Sequence, residues 1–314
     1  MTRAFIFPGQ GSHTVGMGRQ LAEAFAAARE VFEEVDQVLL QRLSKLMWEG
    51  PETDLTLTEN AQPAIMAVSL AIVRVLEREG GLDLAAHARL VAGHSLGEYS
   101  ALTAVGAFTV GDAARLLRIR GRAMQQAVPP GEGAMSALLG IEVADAEAAA
   151  SESASQGGVC VVANDNAPGQ VVISGTKQTV ERAAEFAKAK GAKRAMMLPV
   201  SAPFHCPLMQ PAADAMREAL AQVAIRPPAS PIVANVTAAE INEPETIRGL
   251  LVEQVTSRVR WRESVLTFRH LGIGTTVECG GNKVLTGMVK RIDRELETIS
   301  LDSPADIETF AKTL

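Results

Sequence analysis

Positive charge is in short supply in this chain: 30 Lys and Arg face 36 Asp and Glu, a formal net charge of −6. Nothing in that balance points to nucleic acid as a bulk electrostatic partner. Cysteine is scarcer still. Cys160, Cys206 and Cys279 are odd in number, scattered and without metal-ligand spacing, which best fits a reducing compartment. Long apolar runs are missing as well. The most apolar later stretch, "AIMAVSLAIVRVL", is interrupted by Arg74 and is too short to span a bilayer. The opening "MTRAFIFPGQ" holds one basic residue and a very short apolar run before Pro8, so it reads as a first strand entering a loop rather than a signal peptide. These absences leave a soluble cytoplasmic protein without a membrane partner as the expectation. One tyrosine against eleven methionines carries no functional reading.

What is present is enough apolar material for a sizeable core. With 47% hydrophobic and 21% charged residues, 314 residues allow one large domain or two moderate ones. The first 128 residues alternate short apolar strands with alanine-rich helices. "AFIFPGQGS" reads as strand then loop, "MGRQLAEAFAAAREVFEEVDQVL" as one amphipathic helix, and "AQPAIMAVSLAIVRVLERE" as a largely buried helix. That alternation favours a parallel α/β sheet with helices on its faces. At "VPPGEGAM" two prolines and two glycines break the pattern. The order that follows is β-α-β-β-α-β, a ferredoxin-like unit. The division expected is therefore a core of 1–129 and 199–314 with a small domain, 130–198, inserted into it.

The stretch "VAGHSLGEYS" places Ser95 in a G-x-S-x-G pentapeptide between an apolar strand and a helix. A serine on such a strained turn points its hydroxyl outward, and the flanking glycines remove side chains that would clash. The Leu96 amide and the helix dipole can then stabilise an oxyanion. A serine nucleophile needs a base. Among the five histidines, His13 lies in a glycine-rich loop, and His87 and His270 have ordinary polar surroundings. His94 is adjacent to Ser95, where chain geometry disfavours it as base and favours a structural role. His205, in the proline-punctuated loop "PVSAPFHCPLM" after the small domain, is the best base candidate. No acid stands out as its partner, which leaves open a dyad whose histidine is held by a backbone carbonyl or an amide.

The helix "VGDAARLLRIRGRAMQQAV" carries four arginines. At about 100° per residue, Arg115, Arg118 and Arg122 fall within roughly 60° on one side and read as a solvated basic face. Arg120 projects onto the apolar side with Leu116, Leu117 and Met124. A guanidinium there costs several kcal/mol unless paired. Helical geometry alone leaves two alternatives: a structural carboxylate partner, or an anionic ligand clamped by the two-pronged fork.

Taken together, "FPGQGSHTVGMG", "GHSLGEYSAL", "RGRAMQQAVPPGEGAM", "VANDNAPGQVVISG", "PFHCPLMQPAA", "QVTSRVRWRESV" and "ECGGNKVLTGMVKRI" resemble, in this order and over nearly the whole chain, the malonyl-CoA:acyl-carrier-protein transacylases and the acyltransferase domains of polyketide synthases. The resemblance implies an α/β-hydrolase-like parallel-sheet core with the ferredoxin-like small domain closing one side of the cleft. It implies a ping-pong transfer in which Ser95 attacks malonyl-CoA with His205 as base, and acyl carrier protein then collects the malonyl group. Gln10 and Leu96 match the family's oxyanion hole, Arg120 its carboxylate clamp, and Gln254 the position whose backbone carbonyl orients the histidine. Phe204 matches a Phe-His pair associated with malonyl selection, its ring limiting space beside the α-carbon. Asn164 and Asn166 sit in a family-like polar turn and receive no catalytic role. No metal or cofactor is implied, and the family expectation is a monomer. Two other readings use the same residues: a serine hydrolase with water as acceptor, and a carrier-protein-binding scaffold with a vestigial elbow.

Overall fold

The structure, a computed structural model, describes residues 2–200 and 202–314. Along the chain the described strands are β1 (Arg3–Phe7), β2 (Leu90–Gly93), β3 (Gly133–Leu139), β4 (Cys160–Ala167), β5 (Gln170–Thr176), β6 (Arg194–Met197), β7 (Ile232–Val233), β8 (Glu240–Ile241), β9 (Thr275–Cys279) and β10 (Glu297–Leu301). Six of them form one sheet in the order β10-β9-β1-β2-β7-β8. Its neighbours pair in parallel from β10 to β7, and only the short β8 runs antiparallel.

Successive strand side chains point to opposite faces, and β1 divides accordingly. Phe5 and Phe7 enter one hydrophobic core, while Ala4 and Ile6 enter a second core on the other face with Trp261 and Phe268. A strand covered on both faces reads as a continuous apolar run, which "AFIF" is. The larger core packs the buried helix Thr58–Glu79 against helix Val110–Gln126. These two helices approach closely at Gly121, where a Cβ would lie 2.5 Å from Glu59 Cα. That contact sets Arg120 beside the start of the buried helix.

The second sheet has the order β4-β5-β3-β6, antiparallel throughout. Helices Val143–Ala154 and Lys177–Ala189 cover it, enclosing a separate core around Ile173, Val180 and Ala183. Order and pairing are those of a ferredoxin-like unit, so the molecule is a parallel-sheet core carrying a small antiparallel α/β layer. Among the described residues no helix is long and apolar enough to cross a membrane.

Three local expectations change. The single amphipathic helix expected from Met17 to Leu39 is two helices, Arg19–Ala24 and Ala26–Leu39, broken at an extended Phe25 whose ring joins the core. Asn164 and Asn166 lie on β4 rather than in the turn, at register shifts in its pairing with β5. Arg118 does not belong to a solvated face. It is 9% exposed, hydrogen bonds the Gln41 carboxamide and lies 4.0 Å from Glu59, because the helix Ala26–Leu39 and its following loop cover that side.

Candidate active site

Strand β2 ends at Gly93 and the helix Gly97–Ala104 begins four residues later, leaving Ser95 at the apex with φ of 53°. An L-residue reaches that region only under constraint from its surroundings. Here the constraint is steric and polar. A Cβ on Gly93 would fall 1.9 Å from the Gly97 backbone, and one on Gly97 would fall 2.2 Å from the Phe7 carbonyl oxygen. The Asn235 side chain then grips the turn from below, accepting from the Ser95 amide at 2.7 Å and donating to the Gly93 carbonyl at 2.6 Å.

His205 arrives from the loop after the small sheet, also at positive φ (57°), and is 3% exposed. Its Nε2 lies 2.8 Å from Ser95 Oγ, and its Nδ1 lies 2.9 Å from the backbone oxygen of Gln254. A carbonyl only accepts, so Nδ1 carries the hydrogen and Nε2 is left as the acceptor for the serine proton. Burial, reinforced by the positive charge of Arg120, pushes the His205 pKa down to about 3. The imidazole is therefore neutral at physiological pH, in the state a base requires.

Arg120 is 1% exposed. Its Nη1 donates to Gln62 Oε1 at 2.9 Å, and Nη2 donates to Gln254 Oε1 at 2.8 Å and to Ser95 Oγ at 3.1 Å. Nε is buried without a partner, and the guanidinium carbon sits 5.8 Å from the centroid of the Tyr99 ring. Each of these three oxygens is neutral, so no carboxylate neutralises the fork by contact. Between the two alternatives left open by helical geometry, a contacting structural carboxylate is absent among the described residues.

A cleft of about 500 Å³ joins these groups, lined by Gln10, Ser95, Leu96, Arg120, Phe204 and His205. Gln254 lies behind its wall, fully buried. Among the described residues the amides of Gln10 and Leu96 have no hydrogen-bond acceptor. Both residues line the cleft with Ser95, Gln10 in the loop after β1 and Leu96 next to the serine. His94 packs its ring 5.8 Å from that of Trp261 and holds Asn166 Oδ1 at 2.8 Å, tying the elbow to the small sheet, while burial lowers its pKa. His13, by contrast, sits across the cleft near Thr56, and His87 is bound to its own helix cap.

Sequence reasoning did not single out Gln62, Asn235 or Glu98. Their signal is a polar side chain in an otherwise apolar segment, such as the glutamine in "AQPAIMAV". That signal marks burial without saying which partner is met.

Residues 4–301 match the acyl transferase domain family. A malonyl CoA-acyl carrier protein transacylase of Bacillus subtilis (strain 168) is 44% identical over 311 residues, covering 99% of this chain and 96% of that protein. The crystal structure of an acyl-carrier-protein S-malonyltransferase from Bartonella henselae superposes with a TM-score of 0.97 at 52% identity, covering 100% of this chain and 99% of that one. A malonyl-transacylase solved in complex with its type II polyketide acyl-carrier protein superposes with a TM-score of 0.96 at 42% identity, covering 100% of both chains.

Proposed function

The chain belongs to the acyl transferase domain family, and from that premise we propose that Ser95, His205 and Arg120 carry a malonyl transfer between two thiols. The protein is a malonyl-CoA:acyl-carrier-protein S-malonyltransferase that supplies extender units for fatty acid synthesis. Its reaction is a ping-pong exchange through a malonyl-serine ester.

In the first half, Ser95 Oγ attacks the thioester carbonyl while its proton passes to His205 Nε2. The Gln10 and Leu96 amides receive the oxyanion, a class of donor worth about 3 kcal/mol each when removed. Collapse of the tetrahedral intermediate breaks the C–S bond, and the departing coenzyme A thiolate takes the proton from Nε2. The second half runs in reverse, with the phosphopantetheine thiol of acyl carrier protein giving its proton to His205 and attacking the serine ester. The Gln254 carbonyl holds the ring through both halves and stabilises the transient imidazolium. Thioester and oxygen ester are close in energy, so both halves are readily reversible.

The observation that carries the substrate is the buried Arg120 fork, charged, contacted by no carboxylate among the described residues and hydrogen bonded to the Ser95 oxygen itself. A malonyl carboxylate supplies the missing anion, whereas an acetyl group leaves the cation unpaired. Phe204, 8% exposed on the cleft wall, limits space beside the α-carbon and favours malonyl over branched units. We take 1–129 with 199–314 as the catalytic core and 130–198 as the small domain that closes the cleft. The enzyme acts in the cytoplasm, as a monomer and without a metal or cofactor; its buried, unpaired cysteines fit a reducing compartment. Arg120→Ala tests the assignment. Malonyl loading of Ser95 should fall at least ~100-fold and acetyl loading far less; equal losses would make Arg120 a structural residue.

A further inference from the structure

Glu98 lies one turn beyond the nucleophile, in the first turn of the helix Gly97–Ala104, and is 1% exposed. A buried carboxylate is costly unless its oxygens are well partnered. Its Oε2 accepts from Gln254 Nε2 at 2.7 Å and from the Asn235 backbone amide at 3.2 Å. The positive charge it feels is that of Arg120, which reaches it through the Gln254 carboxamide rather than by contact.

That carboxamide has a donor end and an acceptor end. Glu98 Oε2 and the Ser95 carbonyl, 3.0 Å from Nε2, both require the donor end. Oε1 is then turned towards Arg120 Nη2. A flipped amide would set its oxygen against a carboxylate and its NH2 against a guanidinium, two repulsive contacts at once. The charge-assisted bond that Glu98 accepts from Nε2 is stronger than the neutral one accepted by the Ser95 carbonyl. The spacing matters as much as that bond. A carboxylate in direct contact would occupy the fork, whereas one placed an amide away offsets only part of the charge and leaves the fork without an anion in contact.

We propose that Glu98 is a positioning residue for acyl selectivity, fixing through the Gln254 side chain where the Arg120 guanidinium reaches into the cleft. The inference rests on Arg120 being the carboxylate clamp. Burial lifts the Glu98 pKa to about 7, and the Gln254, Asn235 and Arg120 interactions oppose that rise.

Single-turnover acylation from malonyl-CoA and from acetyl-CoA separates this role from a structural one. Rates are corrected for folded sites by titration with a fluorophosphonate probe. Glu98→Leu should lower the malonyl-to-acetyl rate ratio at least ~10-fold, the scale of a lost charge-assisted hydrogen bond. Glu98→Gln, which keeps an acceptor oxygen but loses the charge, should give a ratio between that of Glu98→Leu and that of the parent. A ratio unchanged in Glu98→Leu, even with both rates reduced, overturns the inference. If Glu98→Leu does not fold, Gln254→Met removes the amide while keeping the backbone carbonyl on His205. Its ratio should fall likewise, and an unchanged ratio there overturns the inference too. A parent enzyme that shows no preference for malonyl refutes the reading of Arg120 itself, and this inference with it.

Discussion

The proposed base must be neutral to act, and His205 is kept so by its burial and by the neighbouring guanidinium, which hold its pKa near 3. A depressed pKa keeps the base form present as pH falls through the ordinary histidine value of about 6.5 and removes it only near the folded value. The rate of Ser95 labelling by a neutral fluorophosphonate should therefore be flat from pH 8 down to about pH 5. A half-maximal rate near pH 6.5 would mean the imidazole titrates as if exposed. At this scale much was legible. Ser95, His205 and Arg120 each broke a local rule: a serine between glycines, a histidine in a proline-rich loop, a cation on an apolar face. Gln62, Asn235 and Glu98 break none so visibly, because a buried amide or acid is explained only by a partner far away in the chain. Asn235 meets Ser95 across 140 positions, and no periodicity encodes that meeting.

Among elements, the elbow and the strands around it follow from alternation and from glycine placement. The apolar run of β1 and the glycines bracketing Ser95 predict a doubly covered strand and a tight strand-to-helix turn, and both occur. Gly97→Ala should destabilise the protein by at least ~2 kcal/mol, because its Cβ meets backbone rather than a flexible side chain. Denaturant midpoints measure this, and a shift below about 0.5 kcal/mol would show that the turn relaxes freely. The helix break at Phe25 and the covered face of Arg118 were not legible. Helical periodicity describes one helix in isolation, while both features are decided by what packs on it.

For the whole molecule, the division into two sheets is visible in the sequence as a change from β-α alternation to a β-α-β-β-α-β order, but the seam joining them is not. Asp165 on β4, 1% exposed, is gripped by Arg262 at 2.8–3.0 Å, and the backbone of Val259 pairs with Ala163 and Asp165 beside it. His94 and Asn166 complete the tie next to Ser95. Arg262→Ala leaves a buried carboxylate without its cation. It should raise amide exchange across β4 at least ~10-fold while leaving β1 and β2 protected. Equal acceleration in both sheets would mean the seam is not a local unit. The most direct test of the whole account is intact-protein mass measurement after brief incubation with malonyl-CoA and no acceptor. The account predicts a malonyl adduct that maps to Ser95, is absent in Ser95→Ala, exceeds the acetyl adduct formed from acetyl-CoA, and discharges when acyl carrier protein bearing its phosphopantetheine arm is added. Accumulation of free malonate without carrier protein, or an adduct that persists in Ser95→Ala, would contradict it.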